Sequence, residues 1–559
     1  MSRQVSSSRS RILSRNPFHD ARNGRRNPPS SPIYNLPSDL LIDIFVECLG
    51  VAVYDHKRPA EVIAISHVCR GWRAIALGTP ILWTQIDLRF PRIAREFCIR
   101  SGMAPIRVVF FQEHLSGRRV TTLQVPQWLS SHAHRVETIY VAADQTIIKK
   151  ILQHIGTAFP DLLDLVIRLD AGYTYASTVL VECQAPRLRR LCLEGVSMAD
   201  WDRAPNRQPS LTNLTLSRLS PSRRPSVPQL LSALQRCPHL QTIIISAALS
   251  QDLGATGIGF RPSLIAELPR LQSFQIREPS STTVAYMLSH LSIPTSCSLF
   301  LHCHGMKDLS LILPPDLSRL RPFAIDYGRG VSVPQLLQIF RSHITIINDP
   351  STRLSNVEFA IVPDHLPAVL SNAIHIRHVL SNITILEITV AHHSIPIMQI
   401  PAHAWSTLLS CLPMLSILKL GGPWSRNVLS ALAHSEGGGR SASRSSHISG
   451  SLPCPHLQTM QIADKLFQNR EETSHLVNSL GRCLTARARL FRTHLSLLEI
   501  EVLGETTRAA LSEKLAELRR LVVTVKTQEY PLPNLSADFG FWNDAQLRYS
   551  FQPPPSRTP

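Results

Sequence analysis

Aromatic residues supply only 6% of this 559-residue chain, and charged residues only 18%. Leu and Ile dominate the hydrophobic 44%, a balance that suits layered aliphatic packing better than an aromatic-rich pocket. No run approaches the roughly 18 apolar residues of a membrane helix, so no membrane partner is expected. No apolar segment near the start reads as a signal peptide, since Arg and Ser fill that region. The eleven cysteines are odd in number, scattered, and contain no Cys-x-x-Cys pair. That distribution argues against a disulfide framework and for reduced thiols in the cytoplasm or nucleus.

The signatures of catalysis are also missing. There is no P-loop and no Gly-x-Ser-x-Gly elbow. Gly254 to Gly259 is Gly-rich, but in the wrong order for a dinucleotide loop. Cys297, His302, Cys303 and His304 resemble a metal set, yet on a strand Cys303 points away from both histidines, so four ligands cannot converge. His375, His378, His392 and His393 have no carboxylate or Cys at ligand spacing. No catalytic centre, metal or cofactor is expected.

The formal charge of +18 permits acidic or nucleic-acid partners. Seven Arg against one Asp in the first 32 residues supply +6 of it. A Lys-rich stripe interleaved with aromatics, the usual mark of single-strand binding, is absent, which argues against nucleic acid. Residues 1–32, rich in Ser, Arg, Pro and Asn, read as a disordered basic tail. Arg22 to Arg26 resembles a short nuclear import signal.

A small helical module comes after the tail. Pro37 suits the start of a helix, and Asp39 favours its first turn. Leu40, Leu41, Ile44 and Phe45 then recur at helical spacing. A second helical pattern runs through Val62, Ile65, Val68, Cys69, Trp72 and Ile75, and Pro80-Ile81-Leu82-Trp83 closes the module. So small a body cannot bury all these apolar side chains, and some should face a partner.

These residues resemble an F-box, in the form common in large fungal families. Leu36-Pro37 with Leu40-Leu41 and Ile44-Phe45 is similar to that family's opening helix. Val68-Cys69-Arg70-Gly71-Trp72-Arg73 is similar to its centre, and Thr79 to Trp83 to its closing P-x-L-W. The resemblance covers residues 33–89 and implies docking on the Skp adaptor, and through it on a cullin. It makes Leu36, Pro37, Leu40, Leu41, Ile44, Phe45, Val68, Cys69 and Trp72 the adaptor-binding candidates. The run Val51 to Glu61 departs from the pattern by lengthening the connection between two helices.

Beyond residue 89 one frame returns: apolar, two residues, apolar, one residue, apolar. It runs from Val136-Ile139-Val141 through Leu162-Leu165-Ile167, Leu188-Leu191-Leu193, Leu211-Leu214-Leu216, Leu240-Ile243-Ile245 and Leu271-Phe274-Ile276. A weaker unit lies at Leu299 and Leu301, followed by Leu320-Phe323-Ile325, Leu354-Val357-Phe359 and Ile383-Leu386-Ile388. Leu415-Leu418-Leu420, Leu457-Met460-Ile462, Leu495-Leu498-Ile500 and Leu518-Leu521-Val523 complete the series. Pro often stands just before the frame, as at Pro160, Pro186, Pro209, Pro238, Pro269, Pro413 and Pro455. The last two apolar positions share one face of a strand.

Helix-like runs at Gln229–Leu234, Gln335–Phe340 and Ser406–Leu412 lie between the frames. One strand and one helix cannot close a core, but stacked neighbours can. An ordinary α/β domain also alternates strands with helices; the number of units and their shared frame favour a solenoid. The units resemble divergent leucine-rich repeats, although the Asn that family places after the strand is mostly missing. The expected fold is therefore α/β: the F-box-like module, then an irregular leucine-rich-repeat-like solenoid over residues 90–535, with a curved parallel sheet inside and helices outside. A flexible insertion is expected at 435–451 and a poorly ordered tail at 536–559.

Period-two reasoning places Arg168, Arg190, Glu194, Thr215, Gln275, Arg277, Glu387, Lys419, Gln461, Glu499 and Glu501 on the open face of the sheet. Of these, Arg168, Arg190, Glu194, Gln275, Arg277, Glu387 and Lys419 are the candidates for binding a protein substrate. Their charges are mixed, so the basic excess is not concentrated there. The expected function is a non-catalytic substrate-recognition subunit of a Skp–cullin–F-box ubiquitin ligase. The alternative is a repeat scaffold for protein–protein interaction outside any ligase.

Overall fold

A computed structural model describes residues 33, 36–49, 58–112, 128–155, 159–169, 180–181, 185–198, 201, 210–251, 265–303, 305–314, 316–320, 335–340, 342–347, 356–389, 399–433, 453–463, 470–491, 495–502, 512 and 516–529. The basic tail, most of the connection Val51 to Glu61, the frame positions Phe323, Ile325 and Leu354, the Gly-rich stretches at 254–259 and 435–451, His304, His392, His393 and the last tail lie outside them. The chain divides into two compact units, one running to Ile86 and taking in Ile93–Ala104, the other formed by Asp87–Arg92 and everything after Ala104.

The first unit is helical. Helices α1 (Ser38–Cys48), α2 (Arg58–Ser66) and α3 (Arg70–Leu77) precede a 3₁₀ turn at Pro80–Trp83, and most of α4 (Pro91–Arg100) packs with them. Pro37 stands at the N-cap of α1 with an extended backbone, and its carbonyl accepts from Leu41 N at 3.1 Å. Leu41, Phe45 and Leu49 follow at four-residue spacing and are all buried. Val62, Ala76, Leu82, Trp83, Ala94 and Phe97 complete this core. The ring of Trp83 meets that of Phe97 edge-on at 4.9 Å, and the Arg100 guanidinium covers it at 4.5 Å. The unit thus reaches beyond the stretch that carries the sequence motifs.

The second unit is a long, mostly parallel sheet with helices, a solenoid-like α/β arrangement. The strands Ile106–Phe111, Val136–Ala143, Asp164–Leu169, Arg190–Glu194, Asn213–Ser217, Thr242–Ser246, Ser273–Glu278 and Ser298–Cys303 lie side by side, all parallel. Among these, each two-apart pair of the sequence frame sits on one strand and is buried, as Leu165 with Ile167 and Phe274 with Ile276. Helices such as Val227–Gln235, Ala402–Ser410 and Ser425–Ala433 bury their apolar sides. Val227–Gln235 begins with a capping box, in which Gln229 N donates to Ser226 Oγ and Ser226 N to Gln229 Oε1.

The recurring proline has a structural reason. Leu162 N donates to Phe159 O, Leu188 N to Ala185 O, Leu240 N to Cys237 O and Leu271 N to Leu268 O. Leu415 N donates to Leu412 O and Leu457 N to Cys454 O in the same way. Each is a four-residue turn with proline at its second position, where the fixed φ is preset. The first leucine of the frame closes the turn and is buried, and the strand starts two residues later.

After Ser298–Cys303 the regular succession breaks. Its neighbour is Asn356–Ala360, again parallel. Beside that lie His343–Ile347 and then Leu336–Ile339, both joined antiparallel. Leu336–Ile339 in turn pairs parallel with Ile385–Ile388, and Ile417–Gly421, Thr459–Ala463, Leu495–Val502 and Val522–Glu529 follow in order. The run Gln335–Phe340 is therefore mainly strand, not helix. Its apolar residues face Ile347, Ile346 and Ile344 across the hairpin, and this β-branched partner decides the conformation. The frame Leu518-Leu521-Val523 also fails, because the final strand starts at Val522 and Val523 is 74% exposed.

Gly195 shows how closely successive turns approach. Its φ is +72°, and a Cβ there would lie 2.7 Å from Leu169 Cβ, so only glycine fits without strain.

Candidate functional site

The helical unit separates its apolar side chains into two sets. Leu41 and Phe45 are 5% and 1% exposed and belong to the core, so they have almost no surface to offer. Leu40, Ile44 and Val68 are 49%, 38% and 58% exposed. The reason is helical geometry: Leu40 and Ile44 are one turn apart and flank the Leu41–Phe45 stripe. Pro37 is exposed, while Leu36, Cys69 and Trp72 are half-buried. The ring of Trp72 packs on Phe45 at 4.8 Å between centroids. Phe45 is therefore the buried support of a partly open tryptophan. Cys69 has a local task, since its Sγ accepts from Trp72 N at 3.4 Å and caps α3.

Further apolar side chains of this unit are also exposed: Leu77, Ile81, Ile99 and Met103. Sequence motifs did not single out these four as contact residues. Ile81 lies in the Pro80–Trp83 turn, where Leu82 and Trp83 are buried and the neighbouring position faces out. An apolar set of this kind, held on short rigid elements, suits a protein partner that covers it.

On the sheet unit the period-two reading places the open-face residues on shared rungs. Arg168 stands opposite Glu194, Thr215 leads through Ile244 to Gln275, and Glu387, Lys419, Gln461 and Glu499 form one continuous row. Several already satisfy one another. Arg168 Nε lies 3.4 Å from Glu194 Oε2, and Arg218 pairs with the other oxygen of the same carboxylate. The Arg168 guanidinium also stacks over Tyr140 at 5.6 Å, and that of Arg277 over Phe300 at 5.8 Å. Gln338 donates to Glu387 at 3.0 Å, and Gln461 to Glu499 at 2.7 Å. Arg190 is exposed beside Asp164, and Lys419 is half-buried. The side chain of Glu501 lies outside the described residues.

The same row holds a residue the frame did not single out, Glu358, between Phe300 and Thr345. Burial pushes its carboxyl above the usual glutamate range. Only the hairpin brings Thr345 beside it, with Gln338 one strand further along the row, and this placement has no signal in the repeat frame.

The cysteines are not assembled for chemistry. None of the ten described is joined in a disulfide. Burial pushes the thiols of Cys297, Cys303, Cys454 and Cys483 up to about 12 and that of Cys237 to about 11, against the thiolate a nucleophile or metal ligand needs. Among the described residues no group of three or more His, Cys, Asp or Glu stands together as a metal set, and no helix is long and apolar enough to cross a membrane.

No curated protein matches the chain. Residues 33–89 match the family described as F-box-like, the stretch that contains α1 to α3 and the Pro80–Trp83 turn. The chain thus carries an F-box-like domain in its helical unit, ahead of the repeated sheet.

Proposed function

We propose that this protein is the substrate-recognition subunit of a Skp–cullin–F-box ubiquitin ligase. The F-box-like domain binds the Skp adaptor, and through it a cullin, while the sheet unit binds a target protein. The observation that carries this reading is the exposed set Leu40, Ile44 and Val68 beside the half-buried Trp72, within the F-box-like match. Pro37 and Leu36 extend that surface, whereas Leu41 and Phe45 act by supporting it. We read the sheet unit as divergent leucine-rich repeats of the kind that follow F-boxes in fungal families. Arg190, Gln275, Arg277, Glu387 and Lys419 are its target-contact candidates. Arg168 and Glu194 serve mainly to neutralise each other.

In this reading the chain is not itself an enzyme. Its contribution is positional: holding a target lysine near the ubiquitin carrier raises effective concentration. Buried thiols outside any disulfide fit a reducing compartment, and we place the protein in the cytoplasm or nucleus.

The test is affinity purification of the intact chain beside a Leu40→Ala, Ile44→Ala, Val68→Ala variant. The intact chain should retain adaptor and cullin. The variant should lose them at least tenfold with an unchanged melting curve, because the three side chains are exposed; clustered interface anchors cost about 2 kcal/mol or more each when truncated. Equal adaptor recovery from both chains would refute the proposed surface. No adaptor from either would leave the scaffold function instead.

A further inference from the structure

The proline turns do more than start strands. The residue at the third position of each turn lies between the proline and the buried leucine, and it faces outward. In three of four successive repeats this position holds Arg187, His239 and Arg270, all exposed. Ser210 holds the same place before Leu211. The residue just after each buried leucine makes a second row, formed by Arg189, Thr212 and Gln241. Backbone bonds lock that row in register: Thr212 N donates to Arg189 O, and Gln241 N to Thr212 O, both at 2.8 Å. These two rows line an open cleft of about 300 Å³.

The cleft is cationic and rich in donors. Arg187 Nη1 meets Asp161 Oδ1 at 2.7 Å, but both side chains are largely exposed, so that pair is weak and exchangeable. Arg189 is one of three arginines, with Arg190 and Arg107, whose charge acts on Asp164. Arg270 and His239 have no hydrogen-bond or ion partner among the described residues. The equivalent turns elsewhere carry Asp161, Met414 and His456. The arginines are therefore concentrated at this stretch of the strand-entry edge, away from the mixed charges of the open sheet face.

We propose that this cleft binds a multiply charged oxyanion displayed on a protein segment, either a phosphorylated side chain or a pair of adjacent carboxylates. Guanidinium forks from two sides match the oxygens of such a group, and the hydroxyls and amide of Ser210, Thr212 and Gln241 add neutral hydrogen bonds. A volume near 300 Å³ admits one charged group with a short length of chain, not a large cofactor. The site deepens the target-binding half of the proposed function and rests on it only for the identity of the segment as a target.

The experiment is direct binding to the full chain, with no adaptor present. The probes are fluorescein-labelled Gly-Ser hexapeptides carrying two phosphoserines, two Glu or two Gln. At least one charged peptide should bind tenfold or more tightly than the Gln peptide, and inorganic phosphate should compete. Preference for phosphoserine assigns a phosphate site; equal binding of both charged peptides assigns a carboxylate-tolerant site. The Arg189→Gln, Arg270→Gln double variant should lose the margin, and the corresponding double Lys variant should recover part of it. Both arginines are exposed, so circular dichroism and melting of the variants should match the parent. Equal binding of all three peptides, or an unchanged margin in the folded double variant, would overturn the site. So would a labelled single-stranded oligonucleotide that binds more tightly than every peptide and is lost with the same two arginines. Adaptor recovery by the double variant should equal the parent's. Failure of adaptor binding beside intact peptide binding would therefore count against the ligase reading alone.

Discussion

The indole N–H of Trp83 donates a 2.7 Å hydrogen bond to the backbone carbonyl of Ala76, and both residues are fully buried. The bond ties the Pro80–Trp83 turn to the last turn of α3, where a helix-end carbonyl needs a partner. Trp83→Ala should therefore destabilise the helical unit by about 3–5 kcal/mol through the cavity and the orphaned carbonyl. Trp83→Phe should cost less, about 1–3 kcal/mol, because much of the volume remains. Hydrogen exchange over Ser38–Arg100 reads both effects. Unchanged protection in the Ala variant would show that this bond does not hold the unit together.

Glu358 predicts a pH effect of definite sign. Burial raises its folded pKa above the unfolded value. Its contribution to stability is fully present below the unfolded pKa and is lost as pH rises through the raised value. Glu358→Gln should thus raise the melting temperature at pH 7. The gain should vanish near pH 4, where the glutamate approaches protonation in both states. A gain of the same size at both pH values would mean that charge is not the cause.

Arg487 is buried in the helix Arg470–Phe491, where it donates to Pro453 O at 3.0 Å and to Cys454 O at 2.7 Å. It thereby holds the turn that leads into Thr459–Ala463. Burial lowers its pKa, and the two carbonyls accept from its two terminal nitrogens. Arg487→Met should leave both acceptors in want of a donor and cost about 2–4 kcal/mol. Urea unfolding followed by exchange in Thr459–Ala463 checks this, and a cost well under 1 kcal/mol would assign the turn's stability elsewhere.

The thiols should divide by exposure. Maleimide at pH 7.5 should label exposed Cys48 first and half-buried Cys69 more slowly. Cys297, Cys303, Cys454 and Cys483 should react only after denaturation, since burial both shields them and suppresses the thiolate. Mass spectrometry of the labelled peptides decides it, and rapid native labelling of Cys454 or Cys483 would contradict the packed core.

Much of the sheet was legible because burial follows period two. Leu191 with Leu193 and Leu418 with Leu420 could be assigned to inward strand positions from spacing alone, and they are buried there. The proline before each frame was visible too, although its place in the turn emerged only from the backbone bond to the following leucine. The hairpin Leu336–Ile347 was illegible. A short apolar run satisfies helix and strand patterns alike, and here a partner strand settles the matter.

The interaction surfaces divide in the same way. Sequence alone determined that a small apolar module precedes a long aliphatic repeat, because motif order and hydrophobic period are local properties of the chain. Tertiary structure decided that Leu40 and Ile44 stay open while Leu41 and Phe45 close over the core, since adjacent helix positions differ by about 100° and only packing says which stripe is covered. It also gathered Arg187 and Arg189 of one repeat with Arg270 of another into one cleft. Residues up to 83 positions apart become neighbours only when successive turns stack in register, and no local pattern carries that distance.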